Sequence, residues 1–172
     1  MTRLILTIAL FGAILLTGCQ TKALTPQQAA AKQAKDIKIE QANIDKITNQ
    51  NFTFYPNTVE PEFGITHMIN TASFLQVNNG TLNAQLPFLG SFYLEPQYLD
   101  MRPLEFISSN YKYMVSSANG VQYHVRIVPQ DLVSIMNQGL VLNLYLNVLT
   151  GDGTLTIKTY NTDEVSYYGY FE

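Results

Sequence analysis

LVLNLYLNV, residues 140–148, sets Leu140, Leu142, Leu144, Leu146 and Val148 on one side of an extended chain, with Val141, Asn143, Tyr145 and Asn147 on the other. Successive strand residues point to opposite faces, so the pattern predicts a strand with one firmly buried face. The same period of two recurs on both sides of it. Val121, Tyr123, Val125 and Ile127 alternate with Gln122, His124 and Arg126, while Leu155 and Ile157 alternate with Thr154, Thr156 and Lys158. Tyr111, Tyr113 and Val115 give a fourth run. Turn signals separate these runs. Asn79-Gly80 and Asn119-Gly120 offer the positive φ of type I′ turns, and are expected to join strands near 73–78 to 81–87 and 110–117 to 121–128. Gly151-Asp152-Gly153 and Asn161-Thr162-Asp163 predict two more hairpins, the second leading into Val165 to Phe171.

Consecutive hairpins with one apolar face must close on themselves or pack on a second layer. The expected fold is therefore mainly β, an antiparallel meander over residues 51–172 forming a small barrel or sandwich. Most of these runs fall short of the roughly 9–11 residues that a membrane-spanning strand needs. Pro129 to Gly139 interrupts the pattern, and Pro129, Asp131, Leu132, Ile135 and Met136 are expected to form a short helix over an open end or edge of the sheet.

Upstream of residue 51 the period changes. Thr25-Pro26-Gln27-Gln28 reads as a helix start, with Thr25 as N-cap, Pro26 at the first helical position and Gln28 completing a capping box. One N-terminal α-helix is expected from there to about Thr48. Its first half, Gln27 to Lys35, is Ala, Gln and Lys, which favours helix but offers little to bury. Ile37, Ile44 and Ile47 then recur at helical spacing and give the later turns a docking face, with Ile39 off it. Residues 19–50 thus read as a tether whose far end packs on the β domain. Standing upright, it would hold that domain roughly 30 Å from its starting point, at about 1.5 Å per residue.

The tether begins at the chain's only cysteine. Residues 1–18 carry Arg3, the apolar run Leu4 to Leu16 and the triplet Leu16-Thr17-Gly18 immediately before Cys19. The run is shorter than the roughly 20 residues of a membrane span and has the flanks of a signal peptide. This is a lipobox: Leu16, Thr17 and Gly18 are the expected signal-peptidase recognition residues, and Cys19 the expected site of lipid attachment and the new N-terminus. An acylated Cys19 leaves no thiol for disulfides, thiolate metal sites or nucleophilic catalysis. Gln20 follows it in place of the Asp that retains lipoproteins at the inner membrane, so the outer membrane is expected. Thr21-Lys22-Ala23-Leu24 lacks the acidic cluster associated with surface export, which favours the periplasmic face.

Charge divides along the same boundary. Lys22, Lys32, Lys35, Lys38 and Lys46 outnumber Asp36, Glu40 and Asp45 in the tether, whereas from Asn51 onward Arg102, Lys112, Arg126 and Lys158 face ten carboxylates. So acidic a domain would repel a phosphate backbone, and no nucleic-acid partner is expected.

The lipobox, the Ala/Gln/Lys helix, Asn51-Phe52-Thr53-Phe54, the hairpin carrying Leu75 and Val77, Leu86-Pro87-Phe88-Leu89-Gly90 and the closing Val165-Ser166-Tyr167-Tyr168-Gly169 together resemble an uncharacterised bacterial lipoprotein family, domain of unknown function 4251 (DUF4251). The likeness covers nearly the whole chain after Gly18. Gly80-Thr81 stands where that pattern usually has an acidic residue, and Gln97 to Asp100 replaces a Gly-rich loop. The resemblance implies location and architecture, and no activity.

The residues themselves offer little catalytic machinery. His124 lies on the polar face of its strand and His67 in an irregular stretch, and both read as solvated histidines. No His or Cys spacing suits a metal, Asp152 reads as a turn residue, and no cofactor is expected. A hydrolase would have to use a carboxylate pair such as Asp100 with Glu105 or Asp163 with Glu164, which nothing else supports. The aromatics, 12% of the chain without a single Trp, are more suggestive. Phe88, Phe92, Tyr93 and Tyr98 cluster around the end of a strand and form a candidate binding surface, since Tyr offers a large amphipathic contact at little entropic cost. The alternative is that Phe88, Tyr167 and Phe171 fill the core while Tyr168 and Tyr170 decorate the opposite face, the reading favoured for the last strand. The expected function is a non-catalytic envelope module that binds a protein or glycan partner. The alternative is a lipocalin-like carrier whose barrel holds a small hydrophobe.

Overall fold

The computed structural model describes residues 25–91, 104–134 and 137–172. The signal peptide and lipobox, including Leu16, Thr17, Gly18 and Cys19, lie outside the described residues. Among the described residues one helix, α1 (Pro26–Thr48), leads into ten strands: β1 (Asn51–Pro61), β2 (His67–Met68), β3 (Phe74–Asn78), β4 (Thr81–Leu86), β5 (Leu104–Ser108), β6 (Tyr111–Ser117), β7 (Gln122–Pro129), β8 (Val141–Asn147), β9 (Asp152–Lys158) and β10 (Val165–Phe171).

The strands form one antiparallel sheet in the order β5-β4-β3-β1-β10-β9-β8-β7-β6, with β2 paired to β1 off that path. Each main strand therefore neighbours the next in the chain, and the last strand pairs with the first. Only β5 and β6 do not pair, although Ser109 and Asn110 alone separate them. Direction explains why. Nine alternating strands give the two ends of the row the same direction, and parallel neighbours need a crossover of about a dozen residues. With two residues between them, β6 must continue β5 around a corner. The sheet is thus a nearly closed barrel in which one bent strand pairs with β4 through its first half and with β7 through its second.

Asp131 clamps that corner. Its carboxylate accepts hydrogen bonds from Ser108 Oγ, from Ser109 N at 2.9 Å and from Asn110 N at 3.1 Å, while Gln130 N donates to Asn110 O. These donors hold the Asp131 carboxyl below the ordinary aspartate range, the Ser108 hydroxyl contributing most. Residues 131–134 run irregularly past the corner where a short helix was expected, and Ile135 and Met136 of that helix lie outside the described residues. Here Asp131 serves the bend in preference to a helix of its own.

The inward positions are apolar apart from Ser108 at the corner. Phe54, Leu75, Leu82, Leu86, Ile127, Leu142, Leu144, Leu146, Leu155, Ile157 and Tyr167 have essentially no exposed surface, so no water-sized space adjoins these side chains. Tyr167 donates its hydroxyl to Pro87 O at 2.9 Å, which satisfies its polar end inside the core. On β7, β8 and β9 the outward positions include His124, Arg126, Asn143, Tyr145, Thr154 and Thr156, a largely polar face. At Gly169 a Cβ would lie 2.0 Å from Tyr55 O on the neighbouring strand. Only glycine permits β10 to pass β1 beside the irregularity between Pro56 and Thr58.

The capping box forms as the sequence predicts: Thr25 Oγ1 accepts from Gln28 N and Gln28 Oε1 accepts from Thr25 N. Docking is narrower than the isoleucine spacing predicts. Ile47 is fully buried and Ile44 packs against the core, but Ile37 is 58% exposed because the helix has by then run past the barrel wall. The contact is fixed by Asn43, whose Nδ2 donates to Val148 O at 2.8 Å, and by Tyr113, whose hydroxyl donates to Ile47 O at 2.7 Å. From Pro26 to Ile39 every residue is exposed.

Two turns also differ from expectation. Asn79 and Gly80 both take positive φ, 47° and 83°, as a type I′ turn requires. At Asn119-Gly120 only Gly120 does; Asn119 instead accepts Val121 N and Gln122 N on its side chain, capping a longer loop. Likewise Asp152 and Gly153 belong to β9 rather than to a turn. The reversal is at residues 148–151, where Asn147 Oδ1 accepts Leu149 N and Thr150 N and Gly151 takes a φ of 79°.

Candidate functional site

The aromatics that reach solvent together lie on the outside of β1, β10, β9, β8 and β7. Register builds this face row by row. Tyr168 on β10 sits opposite Thr154 on β9, which sits opposite Tyr145 on β8, which sits opposite His124 on β7. One row away, Tyr55 on β1 faces Tyr170 on β10, their rings 5.5 Å apart and tilted by 30°, and Tyr170 faces Asp152. Tyr145, Tyr168 and Tyr170 are outward because they alternate with the buried Leu144, Leu146, Tyr167 and Phe171.

The rings are held rather than loose. His124 and Tyr145 stack face to face with centroids 4.6 Å apart and planes 9° apart, and Asn143 Oδ1 lies 3.2 Å from His124 Nε2. Tyr168 donates its hydroxyl to Glu60 Oε2 at 3.0 Å, and that carboxylate, with partial burial, raises the phenol's pKa. Between Tyr145 and Tyr168 lies a shallow hollow of about 400 Å³, bordered by Gln122, Asn147, Asp152 and Thr154. A face of this kind presents apolar ring surface beside amide, hydroxyl and carboxylate groups. It is suited to binding.

The binding surface expected from sequence is not assembled in this way. Phe88 is only 6% exposed and belongs to the hydrophobic core, so the surface role expected of it does not hold; the Pro87 carbonyl beside it receives Tyr167 and draws the segment inward. Phe92, Tyr93 and Tyr98 lie outside the described residues. Tyr168 and Tyr170 decorate the outer face and Tyr167 and Phe171 fill the core, as alternation predicts. Tyr145, Tyr55 and the stack on His124 were missed as a group. Alternation alone could have marked each as outward, but only strand register brings them side by side.

Asp163 is buried while the adjacent Glu164 is only partly so, and Asp100 lies outside the described residues. Glu105 is exposed on β5. His67 pairs with Val59 beside β1, four strands from His124 in the sheet order. Among the described residues, no three His, Cys, Asp or Glu side chains come together as a metal site would need, and no helix is long and apolar enough to cross a membrane.

Comparison with known proteins adds a family and a fold. No curated protein matches the chain. The crystal structure of a DUF4251 family protein from Bacteroides eggerthii DSM 20697 is similar, with a TM-score of 0.54 and 20% identity over 81% of this chain and 90% of that one. At that identity the likeness concerns the fold alone. The model of the domain of unknown function DUF4251 matches residues 34–171, from the middle of α1 to the end of β10, and the chain belongs to that family.

Proposed function

We propose that this protein is a lipid-anchored component of the cell envelope, held at the periplasmic face of the outer membrane through Cys19, and that its barrel is a non-catalytic module for a protein or glycan partner. The carrying observation is the division of α1. Pro26 to Ile39 is solvated on every side, about 21 Å of helix at 1.5 Å per residue, while Asn43 and Ile47 are buried on the barrel. A helix segment solvated on every side has no packed face, and one built from good helix formers suits a spacer. A spacer is useful where a domain must be presented at a distance from its anchor.

Packing of the barrel favours a module over a carrier. An eight-strand circumference, counting β5 and β6 as one bent strand, is the size at which side chains fill the interior or leave room for one small ligand. Here leucine and aromatic side chains meet across it without water-sized gaps beside them.

Membrane fractionation and labelling with a palmitate analogue test the anchor. Wild-type chain is expected to label and to sediment with outer membranes, and Cys19→Ser to do neither. Intact cells should protect the domain from added protease. Crosslinking in native membranes should recover a reproducible partner, and retention of a hydrophobic cargo in native mass spectrometry, or turnover in a hydrolase screen, would overturn the module reading.

A further inference from the structure

We propose that the slot between Tyr145 and Tyr168 is a binding site for a neutral oligosaccharide; this rests on the binding-module reading and names its ligand class. The slot is made by register. β8 and β10 flank β9, so the Cα positions of Tyr145 and Tyr168 are separated by about 9.6 Å, two inter-strand spacings. A saturated ring in contact with an aromatic side chain on each side needs about 8 Å between them, two heavy-atom contacts of roughly 4 Å each. The hollow's volume, about 400 Å³, falls within the roughly 300–1,000 Å³ range of small-ligand sites.

The walls are preorganised, which is unusual for exposed side chains. One face of Tyr145 is covered by His124, itself beside Asn143, so its other face is turned toward Thr154 and the slot. Tyr168 is drawn toward β1 by its hydrogen bond to Glu60, which keeps it from collapsing over Thr154. Rings already fixed lose little further entropy when a ligand arrives. Tyr145 is 50% exposed and Tyr168 41%, so both offer ring surface to a partner.

The rim selects the ligand. Gln122, Asp152 and Thr154 supply an amide, a carboxylate and a hydroxyl, which between them donate to and accept from sugar hydroxyls. The residues bordering the slot include no cation, and Asp152 within it and Glu60, Glu62 and Glu164 beside Tyr168 make the region acidic. Uronic acids, sialic acids and phosphorylated sugars would meet like charge. A pyranose offers apolar C–H faces to the two rings and hydroxyls at its edge to the rim. A purely apolar ligand would leave that rim unpaired.

The test uses the full chain in detergent, titrated by calorimetry with neutral gluco-, manno-, galacto- and N-acetylglucosamine oligosaccharides, matched uronic-acid oligosaccharides and a proline-rich peptide. At least one neutral oligosaccharide is expected to bind saturably. Tyr145→Ala and Tyr168→Ala should each weaken it about tenfold or more without altering the circular dichroism spectrum. His124 is a positioning residue: His124→Ala should weaken binding and His124→Phe, which preserves the stack, should restore it. Absence of binding by every neutral sugar, preference for the anionic set or the peptide, or affinity indifferent to both tyrosine variants would overturn the proposal. If crosslinking still recovers the same partner with Tyr145→Ala and Tyr168→Ala, the module reading stands and the slot is not its site.

Discussion

The two faces of β8 obey opposite rules. Leu142, Leu144 and Leu146 point inward and are fully buried, while Asn143 and Tyr145, between them on the same strand, point outward and meet only cross-strand neighbours. Burial makes the inner face a matter of volume, where each methylene removed leaves a gap. The outer face is a matter of position, where a side chain is worth whatever lies beside it. Stability should therefore concentrate inside the barrel and recognition outside it.

Leu144→Ala is the strongest way to break that contrast. It is expected to cost about 2–5 kcal/mol, measured by urea denaturation, because a close-packed interior relaxes only partly around the cavity. Gly153→Ala tests the opposite error, excess volume. An added Cβ would lie 2.7 Å from Leu146 Cδ2 and 3.2 Å from a ring carbon of Phe54, and should cost about 1–3 kcal/mol in the same assay. A neutral result for either would mean that the core is looser than its packing indicates.

Outside the core the effects shrink. Asp131→Asn should lower the melting temperature at pH 7 by weakening the clamp on the β5–β6 corner. Its pH dependence has a definite sign. The folded carboxyl is held below its ordinary value, so its stabilisation is fully present above the unfolded aspartate pKa, about 3.9, and is lost as pH falls through the lower folded value. Thermal melts from pH 7 downward should fall more steeply for wild type than for Asp131→Asn in that window. Tyr145→Ala should be smallest of all, within about 1 kcal/mol, since it removes an exposed stack and no buried volume. If it destabilised the fold as much as Leu144→Ala, the outer face would be structural and the distinction would fail.

Much of the architecture is local enough to be legible in the chain. Alternation over residues 140–148 assigns its buried face residue by residue, and Thr25 to Gln28 mark the helix start down to the hydrogen bonds of the capping box. Asn79-Gly80 forms the turn that its dipeptide specifies, yet Asn119-Gly120 does not: the side chain of Asn119 accepts the backbone N–H groups of Val121 and Gln122 instead. Phe88 shows a different failure. An aromatic after Pro87 reads equally well as surface or core, and only the hydroxyl of Tyr167, 80 positions away, fixes the choice.

The class of fold, the helix and its cap, the face that each strand buries and the likeness to the DUF4251 family are all legible in the chain alone. These depend on periods of two and of 3.6 and on backbone preferences, which act between residues close in the chain. Tertiary structure alone decided that β1 pairs with β10, that β5 turns a corner into β6 under the carboxylate of Asp131, and that Tyr145 and Tyr168 flank a common slot. Each of those depends on register between distant strands. Register is a property of how the whole sheet closes, and no short window of sequence contains it.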